Sequence, residues 1–306
     1  MSTQNGSNGG PLSGIRMLDL GRYQAGPRCA LMFARMGAEV IKVEALKGDE
    51  SRQNGPTVRG QSAYWVQYNS GKKSLAIDLR TEKGKEVLTR LVKKSDILLQ
   101  NFRPGTIDIM GFGYDVLKKL NPKIIMINAS AYGQYGPHKD KVGFDPIGQA
   151  MGGMMSLTGL RDDPPTKTYF PLIDRITSLH ATIGALAALW EREISGEGQA
   201  IDVSLADTGF TVNEIPIAAY LGNGHITERA TSYGGAENPL GGMYATSDGF
   251  VIIAAGNDNI WKRMCEAVGK EEWLTDERFS SRAARAENGE AINDVLATWF
   301  AERKMT

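Results

Sequence analysis

From Tyr169 to Trp190 (YFPLIDRITSLHATIGALAALW), Ile173, Ile176, Leu179, Ile183, Leu186 and Leu189 recur at the three-and-four spacing of a helix. The spacing predicts a helix that buries most of its surface. Asp174 is its single carboxylate and falls in the first turn. A carboxylate there meets unpaired backbone N–H groups and the positive end of the helix dipole, so it can stay ionised among apolar neighbours. On spacing alone two readings stand open: an N-cap or buried salt-bridge partner, and a carboxylate nucleophile.

Upstream the periods are shorter. Ile15 to Leu20 reads as a strand, GRYQAGP as a turn, Cys29 to Met36 as a helix and Glu39 to Val43 as a second strand, the spacing of a right-handed parallel βαβ unit. The loop after such a first strand is where doubly wound sheets hold ligands, which makes Tyr23, Gln24 and Ala25 pocket candidates. No G-x-G-x-x-G is present, so a dinucleotide fingerprint is not supported. Residues 47 to 63 are polar and turn-rich, a surface loop. Ser74 to Leu79 and Asp96 to Leu99 read as strands flanking a helix from Thr81 to Lys94. The second of them runs into Asn101-Phe102-Arg103-Pro104-Gly105, another strand-end loop. A further apolar strand lies between Pro122 and Ala129, followed by turns and by Phe144-Asp145-Pro146.

Beyond Asp207 an apolar helix from Thr208 to Tyr220 reads as a connector, and Gly222-Asn223-Gly224 breaks it. A glycine-rich loop (231–240), two strands around Ser247-Asp248-Gly249, and helices at Ile260–Val268 and Ala291–Arg303 follow. The predicted class is α/β: a large domain (11–207) with a Rossmann-like, mostly parallel sheet, a connector (208–230) and a smaller α+β domain (231–306).

Composition narrows the function without naming it. Of 306 residues, 42% are hydrophobic and 23% charged, and 35 Lys and Arg balance 35 Asp and Glu, so no global charge argues for nucleic acid or an anionic membrane. Cys29 and Cys265 fit no metal-ligand spacing and read as free thiols of a reducing compartment. His138, His180 and His225 form no metal pattern either. The polar, glycine-rich opening MSTQNGSNGG is unlike a signal peptide, and no uninterrupted apolar run reaches transmembrane length. The expectation is a cytoplasmic protein without metal.

Seven segments in order, LDL-x₃-QAGP, EVIKVE, YNSGKKSLAIDL, QNFRPG with MGFGY, AYGQYGP, FDPIGQAMGG and GEGQAIDVSLAD, resemble the family III CoA-transferases, the group that includes formyl-CoA and carnitine CoA-transferases. The resemblance covers nearly everything from Pro11 onward. It implies an enzyme that moves CoA from an acyl-CoA to a carboxylic acid, with CoA as substrate and no tightly bound cofactor. Asp174 matches the family's catalytic aspartate, which forms an aspartyl-acyl anhydride and then an aspartyl-CoA thioester. Tyr23 and Gln24 match the loop beside the thioester, Gln24 with a side-chain amide able to donate. Asn101, Phe102 and Thr106 match CoA-site positions, Ile77 an apolar contact near the adenine, and Asp145 an acidic residue near the nucleophile. Gly234, Gly235 and Glu237 match a glycine-rich lid, Glu237 being bulkier than the relatives' glycine.

Three positions depart from the family pattern. Ala45 and Ile109 stand where relatives have arginines, leaving Lys42, Arg52, Lys72, Lys73 and Arg103 as the bases for the phosphates, and Ser178 stands where a glycine is usual. The resemblance also implies an interlocked homodimer closed by a C-terminal return segment that this sequence ends short of; a paralogous second subunit is the alternative. The related α-methylacyl-CoA racemases carry a histidine base in a Gly-His-Asp stretch, and here the stretch is Gly143-Phe144-Asp145. A two-base isomerase therefore lacks one base. A non-catalytic subunit of a two-chain transferase is the third reading.

Overall fold

The computed structural model of the chain describes residues 9–159, 162–229 and 241–305. In chain order its strands are β1 (Arg16–Asp19), β2 (Glu39–Glu44), β3 (Thr57–Val58), β4 (Gln61–Ser62), β5 (Lys73–Ala76), β6 (Ile97–Gln100), β7 (Ile125–Ser130), β8 (Ala200–Ser204), β9 (Gly241–Thr246) and β10 (Gly249–Ala254). The helices up to the end of the first unit are α1 (Ala25–Arg35), α2 (Ala63–Asn69), α3 (Glu82–Val92), α4 (Thr106–Ile109), α5 (Tyr114–Leu120), α6 (Asp145–Met151), α7 (Met154–Leu157), α8 (Leu172–Ser195) and α9 (Leu205–Thr211). α10 (Glu214–Asn223), α11 (Asp258–Val268), α12 (Arg282–Glu287) and α13 (Gly289–Ala301) complete the set. Two compact units divide the chain. One takes in the chain up to Gly152 and then Tyr169–Asn213; the other takes Gly153–Thr168 and the chain from Glu214 onward. A linear reading keeps 153–168 in the first domain and treats 208–230 as a connector, but that span is divided between α9 and α10.

The first unit is built on a six-stranded sheet in the order β5-β2-β1-β6-β7-β8, parallel throughout. Strand alternation sorts its two faces. Met17, Ile97, Leu99, Ile125 and Ile127 go to one side with α1 and α8. Leu18, Leu98 and Met126 go to the other with Leu88 and Val92 of α3 and Leu117 of α5. The chain leaves β1 in one direction to β2 and β5 and returns to its other side at β6, so the order reverses between β1 and β6. In an open α/β sheet the crevice outside the carboxyl ends of those two strands is the ligand site.

Helix α1 begins at Ala25, ahead of the predicted Cys29, because Pro27 lies in its first turn, where a missing N–H costs nothing. The edge strand β8 has no period long enough to predict it; its AIDVS is recruited by β7. Helix α8 forms where the spacing predicts it, but it does not bury most of its surface: Leu179 and Ile183 of the predicted apolar stripe are exposed, and the buried face is instead rich in small residues, Thr177, Ser178, Ala181, Thr182, Ala185 and Ala188. These let α1 approach closely, with Cys29 Sγ 3.4 Å from Thr182 Oγ1. Ser178 at the family's usual glycine position is fully buried and bonds to Arg175 O at 2.6 Å. Among the described residues α8 alone is long and apolar enough to cross a membrane, but it carries the buried face just described.

The second unit pairs β9 with β10 as an antiparallel hairpin. Its helices enclose Trp261 and Trp273, stacked with centroids 5.6 Å apart, together with Phe279, Ile292 and Leu296.

Candidate active site

A buried ionic cluster supports the loop after β1. Asp19, fully buried, accepts from Lys72 Nζ at 2.7 Å and from Gly21 N at 2.8 Å. Lys72 also donates to Pro27 O at 2.8 Å and to Asn69 Oδ1 at 2.9 Å. Lys42 Nζ lies 3.1 Å from Asp49 Oδ2 and 4.0 Å from Asp19, and donates to Gly21 O. Burial pushes the Lys72 ammonium below the ordinary lysine range, against the pull of Asp19. The phosphate role expected of Lys42 and Lys72 is therefore corrected: both ammonium groups are buried and neutralised by carboxylates, with no face toward a ligand. Lys73 is paired on the outside with Glu39 at 2.5 Å. Arg52 is paired with Glu44 at 2.7 Å and lies 3.8 Å from the centre of the Trp65 ring.

From β6, Asn101 clamps the same loop. Its Oδ1 accepts from Arg22 N at 2.7 Å and its Nδ2 donates to Arg22 O at 2.8 Å. Phe102 N donates to Gln100 Oε1 at 2.7 Å, and Gln100 in turn bonds to Asn128 on β7 at 2.7 Å. The held loop puts Tyr23 at φ 61, a left-handed conformation uncommon for a bulky residue and one that accumulates at functional sites. Tyr23 donates to Glu50 at 2.7 Å and meets Phe144 edge-on at 5.7 Å.

A cavity of about 520 Å³ opens at these strand ends. Tyr23, Gln24, Asn101, Phe102, Arg103, Thr106 and Asp174 all line it, so the structure gathers these expected site residues in one place. Lys141 and Thr177 line it as well. A second cavity of about 550 Å³ shares Arg22 and Phe102 with the first and is lined by Ile77, Lys47, Arg80 and Met110. Gly234, Gly235 and Glu237 lie outside the described residues.

Asp174 sits in the first turn of α8, and its backbone N–H donates to Asp145 Oδ1 at 2.9 Å. Asp145, at the start of α6, is buried and holds Gln149 Nε2 on its other oxygen at 2.5 Å. Glycine makes this placement possible. A Cβ on Gly152 would lie 2.1 Å from the Gly209 carbonyl carbon, and one on Gly209 2.1 Å from the Gly148 oxygen, so α6 and α9 pack backbone to backbone and bring Asp145 under α8. No donor reaches the Asp174 carboxylate among the described residues. Desolvation, and then the charge of Asp145, push it up to about 7. Tyr64 of α2 is raised above the usual tyrosine range, chiefly by burial, with Asp174 among its neighbours and the Gln24 side chain as its hydrogen-bond partner. Gln24 Oε1 is buried with no partner among the described residues.

Sequence patterns did not single out Tyr64, Lys141 or Thr177. The first falls just past the polar loop of residues 47 to 63, where no element is predicted, the second in a polar bend, and the third on a helix read for its apolar spacing. Among the described residues Arg103 and Lys141 make no ion pair.

Comparison with known proteins agrees with this geometry. Residues 12–306 match the family described as CoA-transferase family III. The chain is 41% identical over 292 residues to the succinyl-CoA–D-citramalate CoA-transferase of Chloroflexus aurantiacus, covering 94% of this chain and 72% of that protein. It is 35% identical to the beta subunit of the succinyl-CoA–L-malate CoA-transferase of the same organism, covering 94% and 72%. Among solved structures, a CAIB/BAIF family protein from Brucella suis superposes with a TM-score of 0.85 at 35% identity, covering 97% of this chain and 80% of that one. The sheet order, the strand-end cavity and these matches together make the chain a member of CoA-transferase family III, and a CoA-transferase.

Proposed function

We propose that the chain transfers CoA from a succinyl-type acyl-CoA to a dicarboxylic acid, with Asp174 as nucleophile. The observation that carries this is a carboxylate on the cavity wall, poorly solvated, without a donor among the described residues and with its pKa raised to about 7. Such a group is partly ionised at neutral pH, and its ionised form keeps the nucleophilicity that hydration would mask.

An Asp174 oxygen attacks the thioester carbonyl and expels CoA thiolate, leaving an aspartyl-acyl anhydride. The thiolate attacks the aspartyl carbonyl carbon and releases the donor acid, leaving an aspartyl-CoA thioester. The acceptor carboxylate then attacks that thioester and expels CoA thiolate, which attacks the acceptor's own carbonyl and frees Asp174. Dicarboxylic substrates are supported by the names of the two Chloroflexus relatives and by Arg103 and Lys141, cations on the cavity wall available to CoA phosphates and a second carboxylate. Ile77 and Phe102, which share the second cavity, would hold the adenosine end. Phe144 at the racemase histidine position has no proton to exchange, which favours transfer over racemisation. Both cysteines are buried free thiols, in keeping with a cytoplasmic setting.

The test incubates the protein with succinyl-CoA and traps with hydroxylamine, which should convert Asp174 to a hydroxamate; borohydride should reduce its CoA thioester. CoA exchange into malate or citramalate with an unmodified Asp174 peptide would sink the mechanism. Exchange of the α-proton of a 2-methylacyl-CoA in deuterated water, without CoA transfer, would favour the racemase.

A further inference from the structure

A further cavity, of about 380 Å³, lies at the opposite, amino-terminal edge of the parallel sheet. Its volume falls within the roughly 300–1,000 Å³ of small-molecule sites. Lys93 and Lys94 at the end of α3, Lys123 ahead of β7 and Arg192 in the last turn of α8 line it, with Asp96 and Glu193 as its acids. Asp96 precedes β6 and Asn101 follows it, so the strand separates this cavity from the one beside Asp174. A smaller cavity of about 250 Å³ adjoins it through Lys94 and Asp96 and adds Arg16. In a chain whose formal charges cancel, four bases around one cavity are a local excess.

Basic side chains often collect at helix C-termini to satisfy the last carbonyls. Here other donors have taken those carbonyls. Asn121 Nδ2 donates to Val92 O at 3.1 Å and to Ser95 O at 2.9 Å, Ser95 Oγ donates to Leu91 O at 2.8 Å, and Arg16 Nη1 donates to Lys94 O at 3.0 Å. Asp96 is matched as well: Oδ1 accepts from Arg192 Nη1 at 2.9 Å and Oδ2 from Arg16 N at 2.8 Å. Among the described residues the Lys93, Lys94 and Lys123 ammonium groups make no ion pair. The Arg192 side chain is only 8% exposed, yet its Nη2 makes no hydrogen bond among the described residues, and Glu193 stands 4.0 Å from it. A buried guanidinium with one amino group unspent, on a wall shared with three unpaired ammonium groups, is an arrangement that an anion would complete. We propose that this cavity is a second anion site, separate from the acyl-CoA site, for a small organic anion with two or more carboxylate or phosphate groups. Arg192 supplies a fixed planar donor and the lysines supply mobile charge around it. A single charge would gain little there, as in any surface pair, whereas a multivalent anion meets several cations at once. The site stands whether or not Asp174 is the nucleophile.

The experiment titrates citrate and, separately, pyrophosphate into the CoA-saturated protein by calorimetry at low ionic strength, with sodium chloride of matched ionic strength as the blank. At least one probe should bind one-to-one. The double variant Lys94→Ala/Lys123→Ala should weaken that binding by about tenfold or more, the loss expected when two partners of a charged ligand are removed. Both lysines are exposed, so the variant should keep its melting temperature. Lys118→Ala, at a surface lysine paired with Glu197 outside the cavity, should leave affinity unchanged. Neither variant should alter kcat or KM for succinyl-CoA. Tighter binding of citrate assigns the site to polycarboxylates, and tighter binding of pyrophosphate assigns it to phosphate esters. No saturable heat above the chloride blank with either probe overturns the proposal. So does unchanged affinity in the double variant, which would put the probe in the active site, or an equal loss in Lys118→Ala, which would reduce the effect to bulk charge.

Discussion

Asp19 and Asp174 are both carboxylates packed behind the carboxyl edge of the same parallel sheet, and their surroundings are opposite. Asp19 is fully buried, takes Lys72 at 2.7 Å and the Gly21 N–H, and has Lys42 nearby. Its charge is matched, so it holds the loop that carries Tyr23 and Gln24. Asp174 has an apolar helix, a second carboxylate and, among the described residues, no donor, and its pKa is raised to about 7. A carboxylate becomes structural or chemical according to which partners the fold brings to it, and the two cases can be separated by experiment.

The largest effect should come from Asp174→Asn. CoA transfer should fall on the order of 10⁴-fold, while the backbone N–H bond to Asp145 remains. The same change should stabilise the fold, with a definite dependence on pH. Because the folded carboxylate is raised from 3.8 to about 7, the native state prefers the protonated acid. That preference carries no penalty below pH 3.8, the penalty of ionisation grows as pH rises toward 7, and it is complete above. At about 1.4 kcal/mol per pKa unit the gain for asparagine above pH 7 has an upper bound of roughly 4 kcal/mol. Denaturant melts at pH 5 and pH 9 check the sign, and a gain that shrinks with rising pH would contradict it. The initial rate of the unaltered enzyme should lose its activity on an acid limb near pH 7.

Next in size is Lys72→Met, which should act on stability and hardly on chemistry. Removing one member of a buried pair leaves Asp19 with Lys42 4.0 Å away, a loss of about 3 kcal/mol. Urea melts measure it, and at permissive temperature KM for succinyl-CoA should change little. A large rise in KM with normal stability would return Lys72 to the list of phosphate ligands.

The smallest effect is Phe102→Ala. Phe102 belongs to both cavities, and loss of about half an aromatic contact, roughly 1–2 kcal/mol, should weaken CoA binding about tenfold. Calorimetry with CoA reads this directly, and affinity for the acceptor acid should stay close to normal. Unchanged CoA affinity would move the adenosine end away from this wall.

What the amino-acid order determined by itself was local or short in range. Period-two and helical spacings placed the strands of the βαβ unit and α8, since those signals are carried by neighbours a few residues apart. The motif order pointed to the family and to Asp174. The glycines of FDPIGQAMGG were visible as a motif, but the reason for them appears only where α6 meets α9 at van der Waals limits. Tertiary structure alone decided which charges line the cavity. Lys72 reads in sequence like any basic residue beside a strand, yet its partner Asp19 is 53 positions away, whereas Arg103 and Lys141 reach the cavity. Thr177 meets Thr208 across 31 positions. Whether a polar side chain is matched or available depends on burial and on contacts between distant segments, and no local spacing encodes either.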